Sequence, residues 1–262
     1  MAENISAEPF ERKIFFLYPS VLIQNKICEE LAQKEFEVYS AQDEIKLRQV
    51  LKKYPNSIVL ANISEGMKES AWEAWIKSVM EDSETAGIDI GIIAYGENAE
   101  LRHKYLEQLK IRCGYTVMKT DVSAVAKQLE NILDSANAKS RRKYIRVQVD
   151  NCTDITVCFR INGTIINGVI KVLSTAAFSC SFSCCFPEDP DLSNGTHFSD
   201  IEIKLPTETL KVQGMVLGSR IQETEKLYVI LISQHTSSEV QKKIRKYIRS
   251  LLLARMDIEF NG

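Results

Sequence analysis

The sequence predicts two domains of different class: an α/β domain with a five-stranded parallel sheet, then an all-β domain with a six-stranded antiparallel β-barrel and a closing helix. The chain has 262 residues, which is enough for two domains of ordinary size. Short apolar runs alternate with helical stretches from residue 13 to residue 135, whereas beyond residue 137 apolar and polar residues alternate along the strands. We therefore place the two domains at residues 1–136 and 137–262.

Five short apolar segments in the first domain are each followed by a helical pattern. The first helix shows the spacing, with Leu22, Ile23, Ile27 and Leu31 on one face. Short connections between such units predict a parallel sheet that is covered by helices on both faces. The predicted strands are residues 13–19, 37–41, 57–63, 88–95 and 115–119.

The second domain carries the alternation and the turn signals of a small antiparallel barrel. In residues 178–184, Phe and Cys alternate with Ser, which predicts one core face and one wetter face. Turn residues divide the region into about six strands. These signals are Asn162-Gly163, Asn167-Gly168, residues 187–190 and Asn194-Gly195. An amphipathic helix with a basic outer face begins near Ser237 and is expected to close the barrel.

The composition argues against a disordered, a disulfide-stabilised or a membrane-spanning protein. Hydrophobic residues make up 45% of the chain and charged residues 26%, as in a folded globular protein. Seven cysteines without CxxC spacing predict free thiols and a cytoplasmic location, and no apolar run is long enough to span a membrane. The front half is acidic and the back half basic, which suits a back half that meets an anion.

The first domain resembles the response-regulator receiver, a flavodoxin-like fold. Receivers accept a phosphoryl group on an Asp at the end of the third strand and bind Mg²⁺ through acidic residues after the first strand. Here the first strand ends in Tyr18-Pro19, and Asn62 occupies the former phosphoacceptor position, while Lys119 matches the receiver lysine. The resemblance therefore implies a pseudo-receiver with no phosphorylation switch and no metal.

A tryptophan pair in the third helix of this domain allows two interpretations. Trp72 and Trp75 lie three residues apart on one predicted helical face. Tryptophan is enriched at the centres of protein interfaces, so the pair is a candidate anchor for a partner. The alternative is that one of them belongs to the core of the domain and the other is half-exposed.

Three arginines stand where the junction enters the second domain. The segment Arg141-Arg142-Lys143-Tyr144-Ile145-Arg146 precedes the first barrel strand. This arrangement resembles the PilZ domain of the cyclic di-GMP receptor family, whose RxxxR motif corresponds to Arg142 and Arg146, with a preceding Arg at position 141. The resemblance implies that these guanidinium groups bind the phosphates or the guanine of the ligand.

The second PilZ motif, DxSxxG, is degenerate. It aligns with residues 172–177, where only Ser174 is retained. Val172 replaces the Asp that would accept hydrogen bonds from a guanine edge, at a cost of about 1 to 3 kcal/mol, or about tenfold to a hundredfold in affinity. Ala177 replaces the Gly and adds a Cβ where close approach or a positive φ is expected.

These observations favour a non-enzymatic bacterial signalling protein that binds cyclic di-GMP and contacts a protein partner. The alternative is a ligand-independent scaffold or a homodimerisation module. Nucleic-acid binding through the C-terminal helix is disfavoured because Tyr247 is the one aromatic residue beside its basic residues. No catalytic residues, no metal ligands and no cofactor are predicted, since the sequence contains no nucleophile elbow, P-loop or metal cluster.

Overall fold

The computed structural model describes residues 12–139, 143–149, 155–161, 164–182, 192–222 and 225–261. The chain divides into two compact units. The first extends to Lys143 and also takes in the residues from Arg255 onward, and the second runs from Tyr144 to Ala254. The sequence-based limit at residue 136 stays a prediction.

A five-stranded parallel sheet forms the centre of the first unit, as predicted. Its strand order is β2-β1-β3-β4-β5, which is the flavodoxin-like order of receivers. The strands are β1 (Ile14–Leu17), β2 (Val38–Ala41), β3 (Ile58–Asn62), β4 (Asp89–Ala94) and β5 (Tyr115–Val117). All residues of β1, β3 and β4 are buried, as expected for a parallel sheet that is covered on both faces.

Helices alternate with these strands, and three of them begin at polar side-chain caps. They are α1 (Cys28–Gln33), α2 (Glu44–Lys53), α3 (Glu69–Glu81), α4 (Ala99–His103) and α5 (Val122–Ser135), with π-helical turns before α1 (Ile23–Ile27) and after α4 (Lys104–Gln108). The Asp43 carboxylate accepts hydrogen bonds from the first backbone N–H groups of α2 at 2.9 Å. Asn98 and Asp121 cap α4 and α5 in the same way.

The second unit is a closed antiparallel barrel of six strands, again as predicted. In barrel order these are β7, β8, β9, β12, β11 and β10, and the barrel closes where β10 pairs with β7. A short additional strand, β6, pairs with the end of β8. The bounds are β6 (Arg146–Gln148), β7 (Thr156–Ile161), β8 (Thr164–Ser174), β9 (Ala177–Ser181), β10 (His197–Lys204), β11 (Thr209–Gln222) and β12 (Glu225–Ile232).

Aromatic rings fill the interior of the barrel. The Phe159 ring packs against the rings of Phe178, Phe182 and Phe198, with centroids 4.9 to 6.3 Å apart. The helix α6 (Ser238–Asn261) buries Ile244 and Ile248 in the same core. None of the helices in the described part of the chain has the length and apolar character needed to cross a bilayer.

One predicted turn is wrong. Asn167-Gly168 lies in the middle of β8, where Gly168 pairs with Val157 of β7. A Cβ on Gly168 would lie 2.9 Å from the Phe182 ring and from the Ser181 carbonyl oxygen, so packing inside the barrel explains this glycine. Asn194-Gly195 does form a turn, with Gly195 at a φ of 86°. The signals at 162–163 and 187–190 lie outside the described residues.

The packing around Gly168 gives a first prediction. We expect Gly168→Ala to lower the free energy of unfolding by about 1 to 3 kcal/mol, because the added methyl group overpacks a filled core. The matched control is Gly218→Ala, since the nearest atom to a Cβ at Gly218 lies at an ordinary 3.7 Å. Thermal unfolding followed by circular dichroism compares the two variants, and equal stability of both would contradict this packing account.

Candidate functional site

Pairing between β6 and β8 brings the two motif segments together. Arg146 of β6 lies directly opposite Ser174 of β8, and Gln148 lies opposite Val172. Paired residues of an antiparallel ladder project from the same face, and Val147 between them is buried in the barrel core. The retained residues of the two motifs are therefore neighbours on the outer face of the barrel.

Arg146 is exposed on this face and makes no ion pair with any described residue. The N–H donors of its guanidinium group are thus not engaged by any described residue. Arg141 and Arg142, the other two predicted ligand-binding arginines, lie outside the described residues, so their roles stay predictions. Other cations of the barrel are differently placed: Lys171 pairs with Glu225 at 3.1 Å, whereas Arg160 and Arg220 are exposed.

Ser174 holds the turn between β8 and β9. Its hydroxyl donates a hydrogen bond to the carbonyl of Ala177 at 2.8 Å, and it accepts one from the backbone N–H of Ala177 at 3.0 Å. The residue is only 3% exposed. These two bonds explain why Ser is retained at this position: the side chain closes the connection between two strands of the barrel.

The two degenerate positions, Val172 and Ala177, differ in whether the replacement alters side-chain chemistry or backbone conformation. Val172 is half-buried and brings no polar atom to the outer row of side chains. Ala177 begins β9, and it is not among the non-glycine residues with a positive φ. The backbone therefore does not require glycine at position 177, and the chemical change of the motif is concentrated at Val172.

The serines of β9 are buried, which the alternation pattern did not predict. Ser179 and Ser181 are 5% and 2% exposed, although they face away from the core residues Phe178 and Cys180. The expectation of a wetter Ser face is therefore wrong. The reason is the position of β9 between β8 and β12, because small side chains between larger ones are covered.

Asn62, at the former phosphoacceptor position, is part of a hydrogen-bond network. It is 1% exposed, and its amide Nδ2 donates to the carbonyl of Tyr18 at 2.9 Å. Its Oδ1 accepts from the backbone N–H of Ser64 at 3.4 Å. The Asn62 side chain thus links the ends of β1 and β3 through hydrogen bonds. It acts here as an amide donor and acceptor and not as a nucleophile.

The Tyr18 side chain lies among residues beyond the ends of the first strands. Its ring meets Trp72 edge-on with centroids 5.8 Å apart, and a Cβ on Gly66 would lie 2.4 Å from that ring. Its hydroxyl donates to the Glu44 carboxylate. Burial and the neighbouring Glu44 carboxylate raise the pKa of Tyr18 to about 12, so the phenol stays protonated.

The tryptophan pair belongs to the core. Trp72 and Trp75 are 0% and 8% exposed, and their indole N–H groups donate to the carbonyls of Glu65 and Glu44. Neither ring is half-exposed, so the pair does not present an anchor to a partner. Among the described residues no group of three His, Cys, Asp or Glu side chains is arranged to hold a metal ion.

A polar groove of about 700 Å³ in the first unit lies apart from these residues. Arg12 and Arg112 both pair with Asp89 there, at 2.7 and 3.1 Å. Arg12 also donates to backbone carbonyls, including that of Ala136 at 2.8 Å. The groove is thus held by its own ion pairs and contains neither motif.

Among known proteins, the chain is similar to several solved structures. No family model matches the chain, and no curated protein matches it. One similar structure is the PilZ domain with c-di-GMP of YcgR from Escherichia coli, at 15% identity and a TM-score of 0.38, covering 46% of this chain and 96% of that one. A MrkH-c-di-GMP complex of K. pneumonia has 18% identity and a TM-score of 0.38, covering 45% and 56%.

The response regulator Rcp1 in its Mn²⁺-bound form is also similar, with 14% identity, a TM-score of 0.39, and coverage of 47% of this chain and 92% of that one. PilZ domains and a receiver, the two families that the sequence resembles, are thus both found among the similar structures. Similarity at this level carries no inference about function.

The Asn62 network gives a second prediction. We expect Asn62→Asp to destabilise the first unit by about 1 to 3 kcal/mol, because a carboxylate facing the Tyr18 carbonyl loses the donated hydrogen bond. Trp72 and Trp75 are the two tryptophans of the chain, so their fluorescence during urea unfolding reports on this unit.

The matched control is Asn98→Asp, which keeps the oxygen that accepts from Leu101 N and should leave stability nearly unchanged. We expect Mg²⁺ with beryllofluoride to stabilise neither variant. An Asn62→Asp protein as stable as the wild type, and further stabilised by these ions, would show that a working phosphorylation site remains.

Proposed function

We propose that this chain is a non-enzymatic receptor or adaptor of the PilZ type, which binds cyclic di-GMP on the outer face of β6 and β8. The observation that carries the proposal is the register of these strands, which sets Arg146 beside Ser174. Two motif segments that are 28 residues apart in sequence thus form one surface.

Charge at this surface supports an anionic ligand. Arg146 is exposed and has no ion-pair partner among the described residues, so a phosphate does not have to displace a carboxylate. A guanidinium group bonds phosphate oxygens bidentately, and it also fits the O6 and N7 atoms of guanine. Arg141 and Arg142 of the same segment are proposed to add further contacts of this kind.

Reduced affinity is part of the proposal. At Val172 a guanine edge finds no acceptor, and the Ser174 hydroxyl is already engaged with Ala177. We therefore expect binding to depend mainly on the arginines and to be weaker than with a complete second motif. The RxxxR segment leads along the sequence into β6, and we propose that bound ligand acts through this segment on contacts with a protein partner.

A ligand-independent scaffold is the second candidate. The substitution at Val172 and the structural use of Asn62 favour it, since both positions lack the chemistry of their families. Light scattering distinguishes the two proposals. A dimer or partner complex that is indifferent to cyclic di-GMP supports the scaffold, whereas assembly that requires the nucleotide supports the receptor.

The first test of the receptor is the loss of Arg146. We expect cyclic di-GMP to bind the wild type in titration calorimetry, and Arg146→Ala to weaken binding about tenfold to a hundredfold, because a charge-assisted hydrogen bond is lost. Arg160→Ala is the matched control, since Arg160 is an exposed arginine of the barrel on β7, away from the β6–β8 pairing. Absence of heat with the wild type, or equal losses in both variants, would contradict the proposal.

The second test restores the missing acceptor. Val172→Asp should raise the affinity for cyclic di-GMP about tenfold to a hundredfold, because its carboxylate can accept hydrogen bonds from the guanine N–H groups. Cyclic di-AMP is the control ligand, because adenine lacks the N1–H and 2-amino donors, and its binding should not improve. An equal gain for both nucleotides would show that position 172 does not face a guanine edge.

A further inference from the structure

A buried hydroxyl without a partner lies next to the proposed ligand surface. The Ser179 side chain is 5% exposed, and its Oγ makes no hydrogen bond with any residue that the structure describes. Such groups cost stability and are rare in folded proteins, so each calls for an explanation. Four side chains of the described chain share this property, namely Tyr115, Thr116, Ser179 and Thr236.

Ser179 alone among these four lies in the ladder of the motif strands. It pairs with Val172 of β8 on one side and with Val229 of β12 on the other. Val172 in turn pairs with Gln148, two residues beyond Arg146. One row of side chains on the outer face thus runs from Gln148 through Val172 and Ser179 to Val229.

Strand geometry places Ser179 within the span of one ligand. It lies two strands and one row away from Arg146, so the two Cα atoms are about 12 Å apart. The half-buried Val172 and Val229 flank the hydroxyl and offer an apolar surface to the flat face of a base. A ligand reaches the Ser179 oxygen only if the half-buried Val172 side chain, whose residue pairs with Ser179, moves aside.

We propose that Ser179 is a further ligand-binding residue, whose hydroxyl forms a hydrogen bond with the purine edge of a cyclic dinucleotide held by Arg146. This inference rests on the proposed function. It assigns to Ser179 a polar contact that Val172 cannot make. Because a hydroxyl both donates and accepts, it bonds guanine or adenine with little preference.

Calorimetric titration of Ser179→Ala with cyclic di-GMP tests the inference. We expect about tenfold weaker binding, the value of one lost hydrogen bond to a ligand. Ser179→Thr keeps the hydroxyl and should bind like the wild type. Ser181→Ala is the matched control, because Ser181 is equally buried on the same face of β9 but pairs with Val169 instead of Val172.

Thermal unfolding without ligand separates binding from folding. Removal of an unpartnered hydroxyl should leave Ser179→Ala at least as stable as the wild type, so its loss of affinity cannot come from unfolding. Wild-type affinity in Ser179→Ala, together with a loss in Arg146→Ala, would overturn the role of Ser179 and leave the receptor intact. A wild-type protein that binds no cyclic di-GMP would overturn both.

Discussion

The candidate site depends on one constraint, the register of the short strand β6 on the end of β8. Val147 and Val149 are buried in the barrel core, and they alternate with Arg146 and Gln148 on the outer face. A slip of one residue would turn Arg146 into the core and Val147 toward solvent. Burying an unpaired guanidinium group would raise the free energy of the folded state far more than any new contact in the slipped register could lower it. The buried valines therefore fix Arg146 in its position beside Ser174.

In the second motif, the residue that stabilises the fold, Ser174, differs from the residue at which the side-chain chemistry has changed, Val172. Ser174 closes the turn before β9 with two hydrogen bonds, and its retention is explained by the fold alone. Val172 makes neither of these two hydrogen bonds, so Val is compatible with the barrel, and the effect of position 172 on a ligand stays a prediction. The first unit shows a related separation, because Asn62 and Tyr18 join strand ends where a receiver would carry reactive carboxylates.

Patterns that recur along a whole domain were predictable from the sequence. Alternation of apolar and helical segments gave the five-stranded parallel sheet, and apolar-polar alternation gave the six-stranded barrel. Local signals were less reliable. Asn167-Gly168 is a turn dipeptide, yet it lies inside β8 because the Phe182 ring needs the space beside Gly168. Ser179 lies between β8 and β12, and the pairing with β12, which is distant in sequence, could not be read from local alternation. The roles of Arg141 and Arg142 stay predictions.

A crystal structure of the chain grown with cyclic di-GMP tests the central claim most directly. It should show a phosphate or guanine of the ligand within hydrogen-bond distance of the Arg146 guanidinium group, on the outer face where β6 pairs with β8. Ligand density on another surface, with Arg146 pointing into solvent, would contradict the account.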